Sequence, residues 1–307
     1  MLELVIDQRR RRIGTFEVGR VLPGAKRRMV GPFVFFDHLG PIDFPRGLAR
    51  EADVRPHPHI GLATVTYLFR GQIVHRDSVG SEQAIEPGEM NWMIAGAGIT
   101  HSERFEKARA EGDSVHGIQA WVALPTEDEE TSPAFIHYGC EVLPLWSERA
   151  VSTRLLAGEA FGARSPVRTL SPLFYLHWTL GSGARVALPD RHAERAAYVA
   201  AGRVRCGAYS YGVGQLLVFS PGEAVLTAEE PAQVLALGGE NLGERYLEWN
   251  FVSSSRERIE QAKRDWRAGR FAMPRNDSEE RIPLPQDAGD SGNSGDSGDP
   301  ARAAQPL

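Results

Sequence analysis

Short runs of β-branched and aromatic residues, broken at brief intervals by Gly, Pro or Asp, account for most of this chain and predict strands joined by tight turns. Leu2 to Ile6, Phe16 to Val21 and Val30 to Phe36 are the first three, the last ending on Asp37-His38 before a turn at Leu39-Gly40-Pro41. Ala63 to Phe69 and Ile73-Val74-His75 flank Gly71-Gln72 and read as a hairpin. Gly80-Ser81 and Glu86 to Glu89 mark further turns, Met90 to Ile94 another strand, and Gly96-Ala97-Gly98 a loosening of the chain. Lys107 to Ser114 reads as a charged loop and Val115 to Leu124 as a buried strand ended by Pro125. Glu127 to Glu130 reads as an acidic surface turn or short helix, before Phe135 to Val142 and Val151 to Leu156 resume the β pattern.

A second β-rich unit follows, with strands predicted over Leu173 to Leu180, Ala184 to Leu188, Arg195 to Ala200, Gly202 to Tyr209, Gln215 to Phe219, Val234 to Leu237 and Arg245 to Phe251. Only Arg256 to Ala268 carries helical periodicity: Ile259, Ala262, Lys263 and Trp266 share a face, Ser253 to Ser255 offer a cap, and Gly269 ends the run. From Asn276 the chain turns rich in Asp, Ser, Gly and Pro, a composition that buries too little apolar surface to order itself. Disorder is expected from about Leu284, with docking at Ile282 to Pro285. The expected division is residues 1–150, 151–275 with the helix at about 256–268, and a tail over 276–307.

Chemistry concentrates between Arg55 and Arg104. The stretch opens on Pro56-His57-Pro58-His59 and closes on His101-Ser102-Glu103, two pairs spaced i, i+2. In a strand such residues share a face, with Cα atoms roughly 6.7 Å apart, so each pair aims two ligand groups the same way. Three imidazoles and a carboxylate suit a borderline divalent metal and leave positions open for water or substrate. His38, His75 and His116 are single histidines and are not assigned as ligands. Phe35, Trp92, Met93 and Trp121 read as core with a possible place in pocket walls. In the second unit His192 and Glu194 repeat the i, i+2 spacing, but Leu237 to Asn241 supplies no histidine, which points to an internal repeat without a complete metal set.

The length allows burial of roughly three quarters of the unfolded surface, so no disulfide staple is needed. Cys140 and Cys206 lack metal-ligand spacing and read as two reduced, buried thiols. The net charge of −5 comes from the segment after Arg275, so the body is close to neutral and nothing calls for direct nucleic-acid binding. Arg9 to Arg12 read as solvated edge-strand or loop residues. No apolar run reaches membrane-spanning length, and the N-terminus lacks the apolar core of a secretory signal, so a cytoplasmic protein is expected.

Four segments resemble the pirins, a family of bicupin proteins: Val30 to His38, His57 to Tyr67, Trp92 to Glu103 and Trp249 to Ser253. The resemblance runs from about Arg10 to Pro285. It implies an all-β fold of two stacked cupin (jelly-roll type) barrels, with a mononuclear metal in the first. That metal is usually iron, as Fe(2+), with Mn, Ni, Co, Cu or Zn as alternatives. The family's ligand set falls on His57, His59, His101 and Glu103. The implied activity is that of a quercetin 2,3-dioxygenase, which opens the heterocyclic ring of a flavonol with O2 and releases carbon monoxide. Glu103 would then also accept the proton of the flavonol 3-hydroxyl. The resemblance equally admits a non-enzymatic, iron-dependent regulatory protein that binds transcription factors or metabolic enzymes.

Overall fold

Turn residues let the β-prone runs double back on one another, and the computed structural model, which describes residues 1–285 and the backbone of 305 and 306, is built almost wholly of antiparallel strands. The first half comprises β1 (Leu2–Asp7), β2 (Arg9–Ile13), β3 (Phe16–Leu22), β4 (Phe33–Phe44), β5 (Val54–His59), β6 (Leu62–Arg70), β7 (Ile73–Asp77), β8 (Glu82–Ile85), β9 (Met90–Ile94), β10 (Ile99–Arg104), α1 (Glu106–Glu111), β11 (Asp113–Ala123) and β12 (Ala134–Tyr138). The second comprises β13 (Leu145–Glu148), β14 (Val151–Ala160), β15 (Ala163–Arg164), β16 (Leu173–Leu180), β17 (Arg185–Ala187), β18 (Glu194–Ala201), β19 (Arg203–Cys206), β20 (Tyr209–Gly212), β21 (Gln215–Phe219), β22 (Val225–Ala228), β23 (Ala232–Gly239), β24 (Tyr246–Glu248), β25 (Phe251–Ser253) and α2 (Arg256–Arg267).

The chain divides into two compact units, one of residues 1–9, 19–38 and 138–242, the other of residues 10–18, 39–137 and 243 onward. In the first, a large sheet in the order β1-β21-β18-β23-β16-β14-β13, with β15 added to β14, shares a core with a small sheet in the order β17-β22-β19-β20. Phe174, Trp178, Val199 and Leu217 of the large sheet pack with Val186, Val204 and Leu226 of the small one. In the second unit a sheet running β12-β9-β6-β11, continued by the parts of β4, β3 and β2 that belong to it, shares a core with a small sheet in the order β5-β10-β7-β8. Leu68 and Val115 meet Ile73 and Ile85 there, and Phe16, Phe44 and Phe105 form a ring cluster beside them. β2 is an edge strand, as its arginines suggest.

The helix is where its periodicity puts it. Ser255 Oγ accepts from the Arg258 N–H at 3.3 Å, and Ile259, Ala262, Lys263 and Trp266 are buried. Ile282 docks as expected: its N–H donates to Pro56 O at 2.8 Å, and its carbonyl accepts from Trp266 Nε1 at 3.0 Å. From residue 286 on, all but the backbone of 305 and 306 lies outside the described residues, and the disorder expected there falls on that stretch.

Three local readings need correction. Residues 106–111 form a helical turn and not a loop, because Glu-Lys-Ala-Arg-Ala-Glu is a run of good helix formers that buries Ala108. Glu129, read as surface, is buried: its carboxylate accepts from Ser253 Oγ and the Ser254 N–H and pairs with Arg245. Cys140 is exposed, since it sits in the turn after β12, and Cys206 is half-buried.

Candidate metal centre

β10 is the middle of three adjacent strands that each present polar residues at i, i+2. It pairs with β5 on one side, placing His101 opposite His57, and with β7 on the other, placing His101 opposite Asp77 and Glu103 opposite His75. The imidazoles of His57, His59 and His101 converge, with one nitrogen of each lying within 4.8 Å of the others. Ring centroids are 4.4 Å apart for His57 and His101 and 5.0 Å for the other two pairs. All three rings are buried, and Trp121 stands edge-on to His59 at 5.0 Å.

The outer nitrogens are committed. His57 Nδ1 lies 2.9 Å from Arg55 O and His59 Nδ1 lies 3.1 Å from Asn250 O. A carbonyl only accepts, so both Nδ1 atoms carry the proton and both Nε2 atoms keep a lone pair. His101 Nδ1 lies 3.3 Å from His75 Nδ1, while His75 Nε2 lies 2.9 Å from the Asp77 carboxylate. With Nε2–H donated to Asp77, His75 can accept from His101 through Nδ1, and in that arrangement His101 also turns a lone pair inward. His59 Nε2 and His101 Nε2 then face each other at 3.1 Å. Lone pairs brought together at this depth repel unless a proton or a cation lies among them, so the donor set fits a divalent metal.

Electrostatics agree with neutral ligands. Burial lowers the His57 pKa to about 4, against the effect of the Arg55 carbonyl. It drives His59 and His101 well below the ordinary range, with neighbouring imidazoles adding to the effect. Glu103 stands apart from the nitrogen cluster. Its half-buried carboxyl is pushed up to about 7 by desolvation, partly offset by a hydrogen bond from Thr66, whose hydroxyl also lies 2.7 Å from Gln119 Oε1.

His38, His116 and His192 lie outside the cluster. His38 is buried, with Nδ1 2.8 Å from the Tyr198 hydroxyl, and His116 packs against Phe69. His192 stacks on Phe174, and Glu194 accepts from the Gly31 N–H at 2.7 Å and from Asn241 Nδ2 at 2.6 Å. The His75-Asp77 pair carries a legible signal, a third i, i+2 spacing beside the other two.

Later chain segments hold the ligand strands. The β24–β25 hairpin turns at Trp249-Asn250, with Trp249 in the left-handed region at φ 54° and packed against Phe251 and Trp266. That turn delivers the Asn250 carbonyl to His59. Gly61, at φ +66°, follows the first ligand pair where a Cβ would meet the Val252 carbonyl at 2.0 Å. On the opposite face of β10, Ser102 Oγ and Arg104 Nε both donate to Asp277, at 2.6 and 2.7 Å.

This arrangement can be compared with known proteins. A family model described as Pirin matches residues 15–122, and one described as Pirin C-terminal cupin domain matches residues 175–272. A pirin-like protein of Caulobacter vibrioides is 57% identical over 288 residues, covering 93% of this chain and 100% of that protein. The chain belongs to the pirin family. Its fold is accordingly mostly β with two cupin-type domains. A Pseudomonas aeruginosa protein named "Putative quercetin 2,3-dioxygenase PA1205" is 36% identical over 271 residues, covering 87% of this chain and 84% of that protein. A crystal structure of quercetin 2,3-dioxygenase from Acinetobacter baumannii is 30% identical and matches with a TM-score of 0.84, over 92% of this chain and 95% of that one. Among the described residues no helix is long and apolar enough to cross a membrane.

Proposed function

We propose that this chain is a metal-dependent dioxygenase acting on a flavonol or related enol-bearing aromatic with O2. The observation that carries the reading is the convergence of three imidazoles whose outer nitrogens are all held by hydrogen bonds; Glu103, on the same strand as His101, has its carboxyl poised near neutrality. The likeness to proteins named for quercetin dioxygenation supports it. His57, His59 and His101 would hold the metal, with Glu103 as a fourth ligand; the donor set suits several divalent metals, and the pirin resemblance makes iron(II) the first candidate. When bound, the metal supplies a Lewis acid and a site for O2 chemistry.

The residues of the chain contribute the rest. Nδ1 hydrogen bonds orient the rings, burial keeps them neutral, and the apolar surroundings limit water. Glu103, with a pKa near 7, is matched to accept the proton of an enolic hydroxyl at physiological pH. The depth of the rings, none more than 7% exposed, supports a second reading in which the site governs binding to another protein and no substrate reaches it. Anaerobic reconstitution with iron(II), followed by O2 uptake with quercetin and a panel of catechols and enols, separates the two. Uptake that vanishes in His101→Ala supports the dioxygenase; bound iron without uptake on any substrate supports the second reading.

A further inference from the structure

β7 lies against the ligand strand β10 and carries two buried polar residues that neither fold nor ligation accounts for. His75 is 4% exposed and Asp77 1% exposed, a depth at which a polar pair persists only with defined partners. Both ends of the pair are fixed. The His75 ring lies flat on Phe135, with centroids 4.2 Å apart and planes 13° from parallel. Asp77 Oδ1 accepts from the N–H groups of Val79 and Ser81, each at 3.0 Å, which leaves Oδ2 aimed at His75 Nε2 at 2.9 Å. On the other side of the ring, Nδ1 lies 3.3 Å from His101 Nδ1. The fold itself does not require the pair. The other unit builds a small sheet with the same pattern of neighbours, β17-β22-β19-β20, and the strand beside its central β22 reads Arg-Val-Arg-Cys.

We propose that Asp77 and His75 are positioning residues that act through His101, fixing its proton on Nδ1 and its lone pair on Nε2. The inference rests on the reading of His57, His59 and His101 as metal ligands. Asp77 accepts from His75 Nε2–H, so the bare Nδ1 of His75 must accept from His101, and the nitrogen facing the cluster is left free to ligate. This is the outer-sphere support that raises the basicity of a metal-bound imidazole. Neither residue touches the metal position. Their effect is on how tightly, and in which orientation, His101 binds.

Asp77→Asn tests the chain of bonds with the least disturbance. The amide can keep Oδ1 in the turn to Val79 and Ser81, while its NH2 group faces His75 and favours the other tautomer. His75 would then donate to His101 Nδ1, and the His101 proton would move to the ligating nitrogen. Zinc(II) affinity, measured by competition with a chromophoric chelator, is expected to fall roughly 10- to 100-fold in Asp77→Asn and in His75→Leu. His75→Gln, which can both accept from His101 and donate to Asp77, should recover much of the loss. Nitrogen-15 correlation spectra supply the readout that a purely structural role would not move. His75 should carry its proton on Nε2 in the metal-free protein and lose that pattern in Asp77→Asn. Affinity within twofold of wild type in both Asp77→Asn and His75→Leu, or a His75 proton on Nδ1 in the wild-type spectrum, overturns the proposal. Failure of the wild type to bind zinc would instead count against the ligand reading, and the spectrum of His75 would still decide the hydrogen-bond chain.

Discussion

The two small sheets, β5-β10-β7-β8 and β17-β22-β19-β20, share a strand order but fill their barrels with opposite chemistry. The second sends Val186, Val204, Leu226 and Ala228 into an apolar core continuous with Trp178 and Phe174. The first places His57, His59, His101, His75 and Asp77 at buried positions of the corresponding strands. One sheet therefore gains stability from every interior side chain, at roughly 25 cal/mol for each Å² of apolar surface removed from water. The other carries several desolvated polar groups whose cost is offset by hydrogen bonds and, on this account, by a bound cation. The same strand order thus holds either interior.

If that contrast is real, mutations in the two sheets should separate metal binding from stability. The largest effect is expected for His101→Ala, which should abolish stoichiometric metal binding by elemental analysis while circular dichroism still reports a folded chain. Glu103→Gln should keep the fold and the metal but lower flavonol turnover by about 10² to 10⁴, the range of a lost general base; turnover near wild type with metal retained would remove Glu103 from the chemistry. In the second sheet Leu226→Ala should cost about 2–5 kcal/mol in denaturant unfolding and leave metal stoichiometry unchanged. A change in metal content there would mean that the interiors are not independent.

The smallest effects are those of pH on the metal-free protein. Neutral, buried His57 has a folded pKa of about 4 against an ordinary 6.5, so its contribution to stability is present above 6.5 and lost as pH falls through about 4. Glu103 works in the opposite direction. Its folded value of about 7 exceeds the ordinary 4.5, so its contribution is present below 4.5 and lost as pH rises through about 7. Metal-free wild type should therefore lose stability relative to Glu103→Gln across that interval, by on the order of 1–3 kcal/mol. The same difference in unfolding free energy between wild type and Glu103→Gln at pH 5 and at pH 8 would contradict the desolvation of Glu103.

Much of this contrast was legible in the chain. Strands, turns and the helix over Arg256–Arg267 followed from local pattern, because β-branched runs, Gly and Pro, and the 259, 262, 263, 266 spacing act over a few residues. The convergence of His57, His59 and His101 was legible because two i, i+2 pairs in strands of matching phase can meet only if those strands neighbour. What was hidden depends on distant partners. Glu129 looks like surface in an acidic run and becomes buried only because Arg245, Ser253 and Ser254 return to it from late in the chain. The Asn250 carbonyl is a backbone atom with no sequence signature as a support for His59. The crossing of chain ends between the compact units likewise has no local signal, since β3 and β4 read as ordinary strands throughout.

The central claim is that the first small sheet, and not the second, holds a metal. Metal stoichiometry of the full chain after anaerobic iron(II) loading and desalting, measured beside His101→Ala, tests it most directly. One iron per wild-type chain and none in the variant is the expected result; no retained iron in wild type, or equal retention in both, would contradict the account.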